Sequence, residues 1–132
     1  MKELPKISDS EWEVMKIIWK NDTITSTEII KELQEKTNWK APTIKTLINR
    51  LLNKEAINFT KKGKEYYYFS IISEEECVRE ESESFLNKVF NGSLNSMMTN
   101  FVKSQKLTNT EINELKSILN NYETQEKGAV SD

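Results

Sequence analysis

One helix-start pattern recurs four times along this 132-residue chain: a hydroxyl residue, a glutamate three positions on, and an apolar residue at each flank. It reads Ile7-Ser8…Glu11-Trp12, Ile24-Thr25…Glu28-Ile29, Ile72-Ser73…Glu76-Cys77 and Leu107-Thr108…Glu111-Ile112. In such a capping box the hydroxyl oxygen accepts a bond from the glutamate's main-chain N–H, and the carboxylate accepts one in return. The flanking apolar pair closes over both bonds and sets the angle at which the chain enters the helix. Four starts of this kind in so short a chain impose a mostly α-helical fold.

Apolar spacing supplies the rest of the first half. Trp12, Met15 and Trp19 form a stripe widened by Val14 and Ile18, and Asn21-Asp22 end that helix. Thr23-Ile24 suit a very short strand. A second helix runs from about Ser26 to Lys36 and buries Ile29, Ile30 and Leu33. A third begins near Pro42, where a missing N–H costs nothing, and its Ile44, Leu47, Ile48 and Leu51 recur at helical spacing. Ala56 to Thr60, the turn Lys61-Lys62-Gly63-Lys64 and the Tyr- and Ile-rich run from Glu65 to Ile72 read as a hairpin. In that run the rings of Tyr66 to Phe69 alternate faces, two inward and two outward. Three helices and a two-stranded wing make a winged helix-turn-helix domain over residues 1–72.

The second half carries no strand signal. Val78, Ser82, Phe85, Leu86 and Val89 line a fourth helix that stops at Asn91-Gly92. Leu94, Met97, Met98, Phe101 and Val102 line a fifth, and Ile112, Leu115, Ile118, Leu119 and Tyr122 a sixth. Each stripe is too thin to close a core alone. Residues 73–122 are therefore expected to form a dimerisation arm in which Phe85, Leu86, Val89, Leu94, Met97, Met98, Phe101, Ile112, Leu115 and Leu119 meet a second copy. Residues 123–132, polar and without periodicity, read as a disordered tail.

The net charge of −2 conceals a division. Residues 1–72 hold 13 Lys/Arg against 10 Asp/Glu, and residues 73–132 hold 6 against 11. Between 40 and 64 stand Lys40, Lys45, Arg50, Lys54, Lys61, Lys62 and Lys64 with Glu55 as the one acid, a polyanion-facing stretch. The chain has no histidine and one cysteine, which excludes Ser-His and Cys-His catalytic pairs, an internal disulfide and a soft-ligand metal cluster. No catalytic residue, metal or cofactor is expected, and a reducing cytoplasm is the expected compartment. Cys77 reads as a small apolar filler, and the glutamates at 74–83 as a hydrated helix surface.

With its apolar stripe inward, the third helix sends Pro42, Thr46, Asn49 and Asn53 outward, with Lys45 and Arg50 beside them and Thr43 at the edge. Short hydroxyl and amide side chains reach base edges, and cations beside them meet phosphate or guanine. Thr43, Lys45, Thr46 and Asn49 are the expected base or groove contacts; Lys40, Arg50, Lys61, Lys62 and Lys64 the expected phosphate contacts. A winged helix used for protein contact or general chromosome binding is the alternative these residues leave open.

The chain resembles the BlaI/MecI family of penicillinase and methicillin-resistance repressors. The resemblance lies in Ser10 to Met15 with Ile17-Ile18-Trp19, in Trp39 to Leu51, in Gly63 to Ser70 and in Phe85 to Val102. It extends the DNA-facing set to Ala41 and Pro42, although the family pattern has proline one residue earlier and a polar residue where Pro42 stands. The resemblance implies a homodimer on double-stranded operator DNA, an inverted repeat of the TACA/TGTA type, repressing beta-lactamase or resistance genes. It further implies a membrane-bound beta-lactam sensor protease as partner, with repression ended by cleavage between Asn100 and Phe101. Copper-responsive relatives carry a C-terminal cysteine pair that this chain lacks.

Overall fold

A computed structural model describes residues 3–130. The elements are α1 (Asp9–Trp19), β1 (Ile24–Thr25), α2 (Ser26–Lys36), α3 (Ala41–Asn53), β2 (Ile57–Lys62), β3 (Glu65–Ser70), α4 (Glu74–Phe90), α5 (Leu94–Lys103) and α6 (Asn109–Val130). They fall into two compact units, one running to Glu81 and the other starting at Ser82.

Each anticipated helix start is present. Ser8 and Thr25 form complete capping boxes with Glu11 and Glu28, and Thr108 with Glu111 makes the same reciprocal pair. At Ser73 the Glu76 carboxylate accepts from the serine hydroxyl instead of the serine N–H. A fifth start, at α5, uses Ser93 to accept from the Ser96 N–H.

In the first unit Val14, Met15, Ile17 and Ile18 of α1, Ile29 and Leu33 of α2, and Ile44, Leu47, Ile48 and Leu51 of α3 form one buried cluster. The sheet closes it with Ile24, Ile57 and Tyr68, and Ile72 and Cys77 extend it past the strands. Cys77 is buried, and burial together with neighbouring Glu76 pushes its thiol above the usual value, so it stays a protonated filler. Because Ile72 and Cys77 lie in this core, the first unit runs beyond residue 72 into α4.

The expected two-stranded wing is present as the β2–β3 hairpin, and the short β1 joins its base as a third strand. β1 pairs antiparallel with β3 through Ile24↔Tyr68 and Thr25↔Tyr67, giving a three-stranded sheet in the order β1-β3-β2. β1 is Ile24–Thr25, one residue later than the sequence suggests, because the residues that pair with Tyr68 and Tyr67 are Ile24 and Thr25. Lys61 and Lys62 belong to β2, which leaves Gly63-Lys64 as a two-residue loop, with Gly63 at φ +64° as a tight hairpin requires. Of the ring run, Tyr68 is buried, Tyr67 and Phe69 half-buried and Tyr66 exposed. α3 starts at Ala41, with Lys40 at its N-cap and Pro42 inside the first turn.

One charged residue, Glu11, is buried within α1, only 2% exposed. Its carboxylate accepts from the Ser8 N–H and pairs with the Lys54 ammonium at the C-cap of α3. Lys54 also donates to the Lys6 carbonyl at 2.7 Å. A second long-range tie runs from Trp19 Nε1 to the Ile72 carbonyl, 3.0 Å away.

In the second unit α4 breaks at Asn91 and Gly92, both at positive φ, and α5 at Gln105. α6 continues past Tyr122 to Val130, where a disordered tail was expected; Thr124 Oγ1 bonds the Asn120 carbonyl within the helix, and no proline interrupts it. Residues 131–132 of that expected tail lie outside the described residues. Among the described residues, no helix is long and apolar enough to cross a membrane.

Burial pushes the Glu11 carboxyl up, but the Lys54 and Ser8 bonds outweigh it and hold the group below the ordinary 4.5. A carboxyl lowered on folding stabilises the fold fully above its unfolded value, and that contribution fades as pH falls through the folded one. Denaturant titrations should therefore show stability declining below about pH 4.5, and Glu11→Gln should flatten that decline. Lys54→Met should cost about 3 kcal/mol at pH 7, the low end for a buried pair losing one partner, since Lys54 is a third exposed.

Candidate nucleic-acid interface

Burying Ile44, Leu47, Ile48 and Leu51 turns the opposite face of α3 to solvent. Pro42, Thr43, Lys45, Thr46, Asn49, Arg50 and Asn53 are all exposed, as is Lys40 at the N-cap. Ala41 is half-buried, so its side chain is the least accessible of the expected set. The first turn has no side-chain cap, which leaves its positive end open to water or an anion.

Thr46 is already committed on one side. Its hydroxyl donates to the Pro42 carbonyl at 3.0 Å, so outward it offers acceptor lone pairs and a methyl group. That suits a base amino donor or a thymine methyl. Asn49, one turn along, can both donate and accept.

Lys61, Lys62 and Lys64 are exposed on the wing. The Lys61 ammonium lies over the Tyr66 ring and that of Lys62 over the Tyr67 ring. Tyr67 donates its hydroxyl to Glu65, whose charge holds the phenol above its usual value and so keeps it a donor.

Ion pairing separates structural from available cations. Lys16 pairs with Glu13, Lys20 and Lys36 with Glu32, Arg79 with Glu75, and Lys54 with buried Glu11. Among the described residues no acid pairs with Lys40, Lys45, Arg50, Lys61, Lys62 or Lys64. Lys54, in the middle of the basic stretch, is thus a core tie. No local pattern signals this, because its acid lies 43 residues away.

Two further features were not foreseen. The β1–β3 pairing sets Lys64 of the wing loop and Glu65 and Tyr66 of β3 across a small polar cleft from the N-cap and first residues of α2, Thr25 to Thr27. A two-residue strand carries too little pattern to reveal that pairing. Phe59 also stacks on Tyr66 with centroids 4.4 Å apart, a contact that only the strand register discloses.

The penicillinase repressor family model matches residues 7–121. The chain belongs to the penicillinase repressor family. Among its members, the penicillinase repressor of Bacillus licheniformis is 44% identical over 127 residues, covering 96% of this chain and 99% of that one. The methicillin resistance regulatory protein MecI of Staphylococcus aureus is 42% identical over 115 residues, 87% of this chain and 94% of MecI. The solution structure of Bacillus licheniformis BlaI, in its monomeric form with the blaP half-operator, matches with a TM-score of 0.51 at 45% identity. That match covers 58% of this chain and 93% of BlaI as solved. Wild-type MarR from E. coli, at 15% identity and a TM-score of 0.52, shares the fold over 88% of this chain and 77% of its own.

Reading and positioning contacts can be told apart by salt. Each lysine that meets a phosphate contributes about −0.9 to the log–log salt slope. Changing Lys61, Lys62 and Lys64 together to Ala should flatten the slope and leave sequence preference in place. Thr46→Ala should leave the slope alone and lose about 1–3 kcal/mol on operator, with less on random DNA. Equal losses on both duplexes would assign Thr46 to positioning.

Proposed function

We propose that the protein is a homodimeric transcriptional repressor that binds an inverted-repeat operator of beta-lactamase or antibiotic-resistance genes. The observation that carries this reading is the unpaired cationic face of α3 and the wing, on a unit whose 45%-identical counterpart has been solved with a half-operator. Thr43, Lys45, Thr46 and Asn49 read the groove, while Lys40, Arg50 and the wing lysines hold phosphates. The main chain of Ala41 and the ring of Pro42 complete the tip. Such a repressor works in the cytoplasm and needs no cofactor.

Dimerisation is assigned to the second unit and the arm before it. From Val78 to Gln125 no described residue is fully buried. Leu94, Ile118 and Leu119 are 56%, 61% and 64% exposed, Phe85 and Val89 are exposed, and Leu86, Met97, Met98, Phe101, Ile112 and Leu115 are half-buried. Helices with such stripes gain their burial from a second copy. Two linked heads then bind a full operator far more tightly than one, because the second contact is effectively intramolecular. The full chain with Ile118→Asp and Leu119→Asp should sediment as a monomer at micromolar concentration and lose at least about a hundredfold on operator. A variant that remains dimeric would remove α6 from the interface.

Release from DNA is assigned to cleavage between Asn100 and Phe101 by a membrane-bound sensor protease that responds to beta-lactams. Asn100 is exposed and Phe101 half-buried, both within α5. A protease cleft takes extended chain, so α5 must open locally, which a ten-residue helix without a buried side chain does at low cost. Cutting there detaches α6 from the reading head. Intact-mass analysis after incubation with the sensor protease should give fragments 1–100 and 101–132. Cleavage elsewhere, or a 1–100 fragment that dimerises and binds like the whole chain, would overturn this assignment.

A further inference from the structure

Lys61 and Lys62 are consecutive on β2 and so project from opposite faces of the wing. Each has its own tyrosine. Lys61 stands in register with Tyr66, its ammonium 5.6 Å from the ring centroid. On the other face the Lys62 ammonium lies 5.5 Å from the Tyr67 centroid.

The Lys61 side is tied to the core through rings. Tyr68 is buried; Phe59 lies 5.9 Å from it; Tyr66 stacks on Phe59 with only 18° between their planes. The Lys62 side works differently. Its registered neighbour is Glu65, the acid placed to neutralise it. The Tyr67 hydroxyl donates to that carboxylate at 3.3 Å, and no ion pair joins Lys62 to Glu65.

We propose that Tyr66 and Tyr67 are positioning residues for operator binding, holding one wing cation on each face in place for phosphate. The proposal rests on the operator-binding reading. A lysine free to sample its rotamers loses that freedom when a phosphate fixes it; one already resting on a ring has lost part of it beforehand. The ammonium above a ring keeps donors turned outward, so the ring contact and a phosphate contact are compatible. Tyr67 adds a second effect by occupying Glu65.

The test uses the full chain, a duplex with a TACA/TGTA inverted repeat and a scrambled duplex. Without DNA, the Lys61 ε-methylene protons should resonate upfield in the parent protein and in Tyr66→Phe, and lose that ring shift in Tyr66→Leu. On the repeat duplex Tyr66→Phe should bind like the parent. Tyr66→Leu should weaken binding about two- to fivefold per reading head, the scale of an exposed cation–π contact, with an unchanged salt slope. In a Lys61→Ala background Tyr66→Leu should do nothing further. Tyr67→Phe, which keeps the ring and releases Glu65, should weaken binding in the parent and be silent alongside Glu65→Gln. Absence of the ring shift in the parent would overturn the proposal. So would a Tyr66→Leu loss that persists without Lys61, or a Tyr66→Phe as weak as Tyr66→Leu. A parent protein binding both duplexes equally would sink the operator reading alone, because the ring shift is measured without DNA.

Discussion

The reading head is organised around one buried carboxylate. Glu11 is the third residue of α1, so it caps that helix, and its remaining acceptor capacity takes the Lys54 ammonium from the end of α3. An unpaired charge at that depth would force the group to protonate or the helix to move. The start of α1 and the end of α3 are therefore fixed to each other by chemistry that apolar packing, which tolerates sliding, does not provide. With the Trp19 tie to the Ile72 carbonyl, both ends of α1 are held, and α3 is set by contacts away from its exposed face.

The cations of the first unit divide by the company they keep. Lys16, Lys20, Lys36 and Lys54 each sit within reach of an acid, and those of the α3 face and wing do not. Exposed ion pairs add little to stability; their effect here is to offset the charge of Lys16, Lys20 and Lys36, while the cations of the α3 face and wing keep theirs. That is how a chain of net charge −2 carries a cluster of uncompensated cations on its first unit.

Local chemistry made much of this legible. The helix starts follow from hydroxyl–glutamate spacing, and the exposed set on α3 follows from where Ile44, Leu47, Ile48 and Leu51 must go. What escaped depends on partners distant in the chain. Nothing near Lys54 marks it as Glu11's counter-ion, and nothing in the short strand at Ile24-Thr25 reveals that it pairs with Tyr67 and Tyr68. The wing's boundaries moved for a related reason: Lys61 and Lys62 look like turn residues by composition, yet Gly63 alone supplies the positive φ that a two-residue loop needs. α6 outran its apolar stripe because helix propensity persists in Glu123 to Gln125 without burial.

Thr25 serves two elements at once. Its main chain pairs with Tyr67 in the sheet, and its hydroxyl caps α2 through the Glu28 N–H. The wing cannot tilt without disturbing that cap, so the hairpin and the helix before α3 behave as one piece. A head built this way has little capacity to mould itself to a groove. On the proposed operator reading, the adjustment needed for close docking then falls on the duplex, whose steps differ in how readily they bend or narrow. Discrimination can consequently extend to base pairs that no side chain touches.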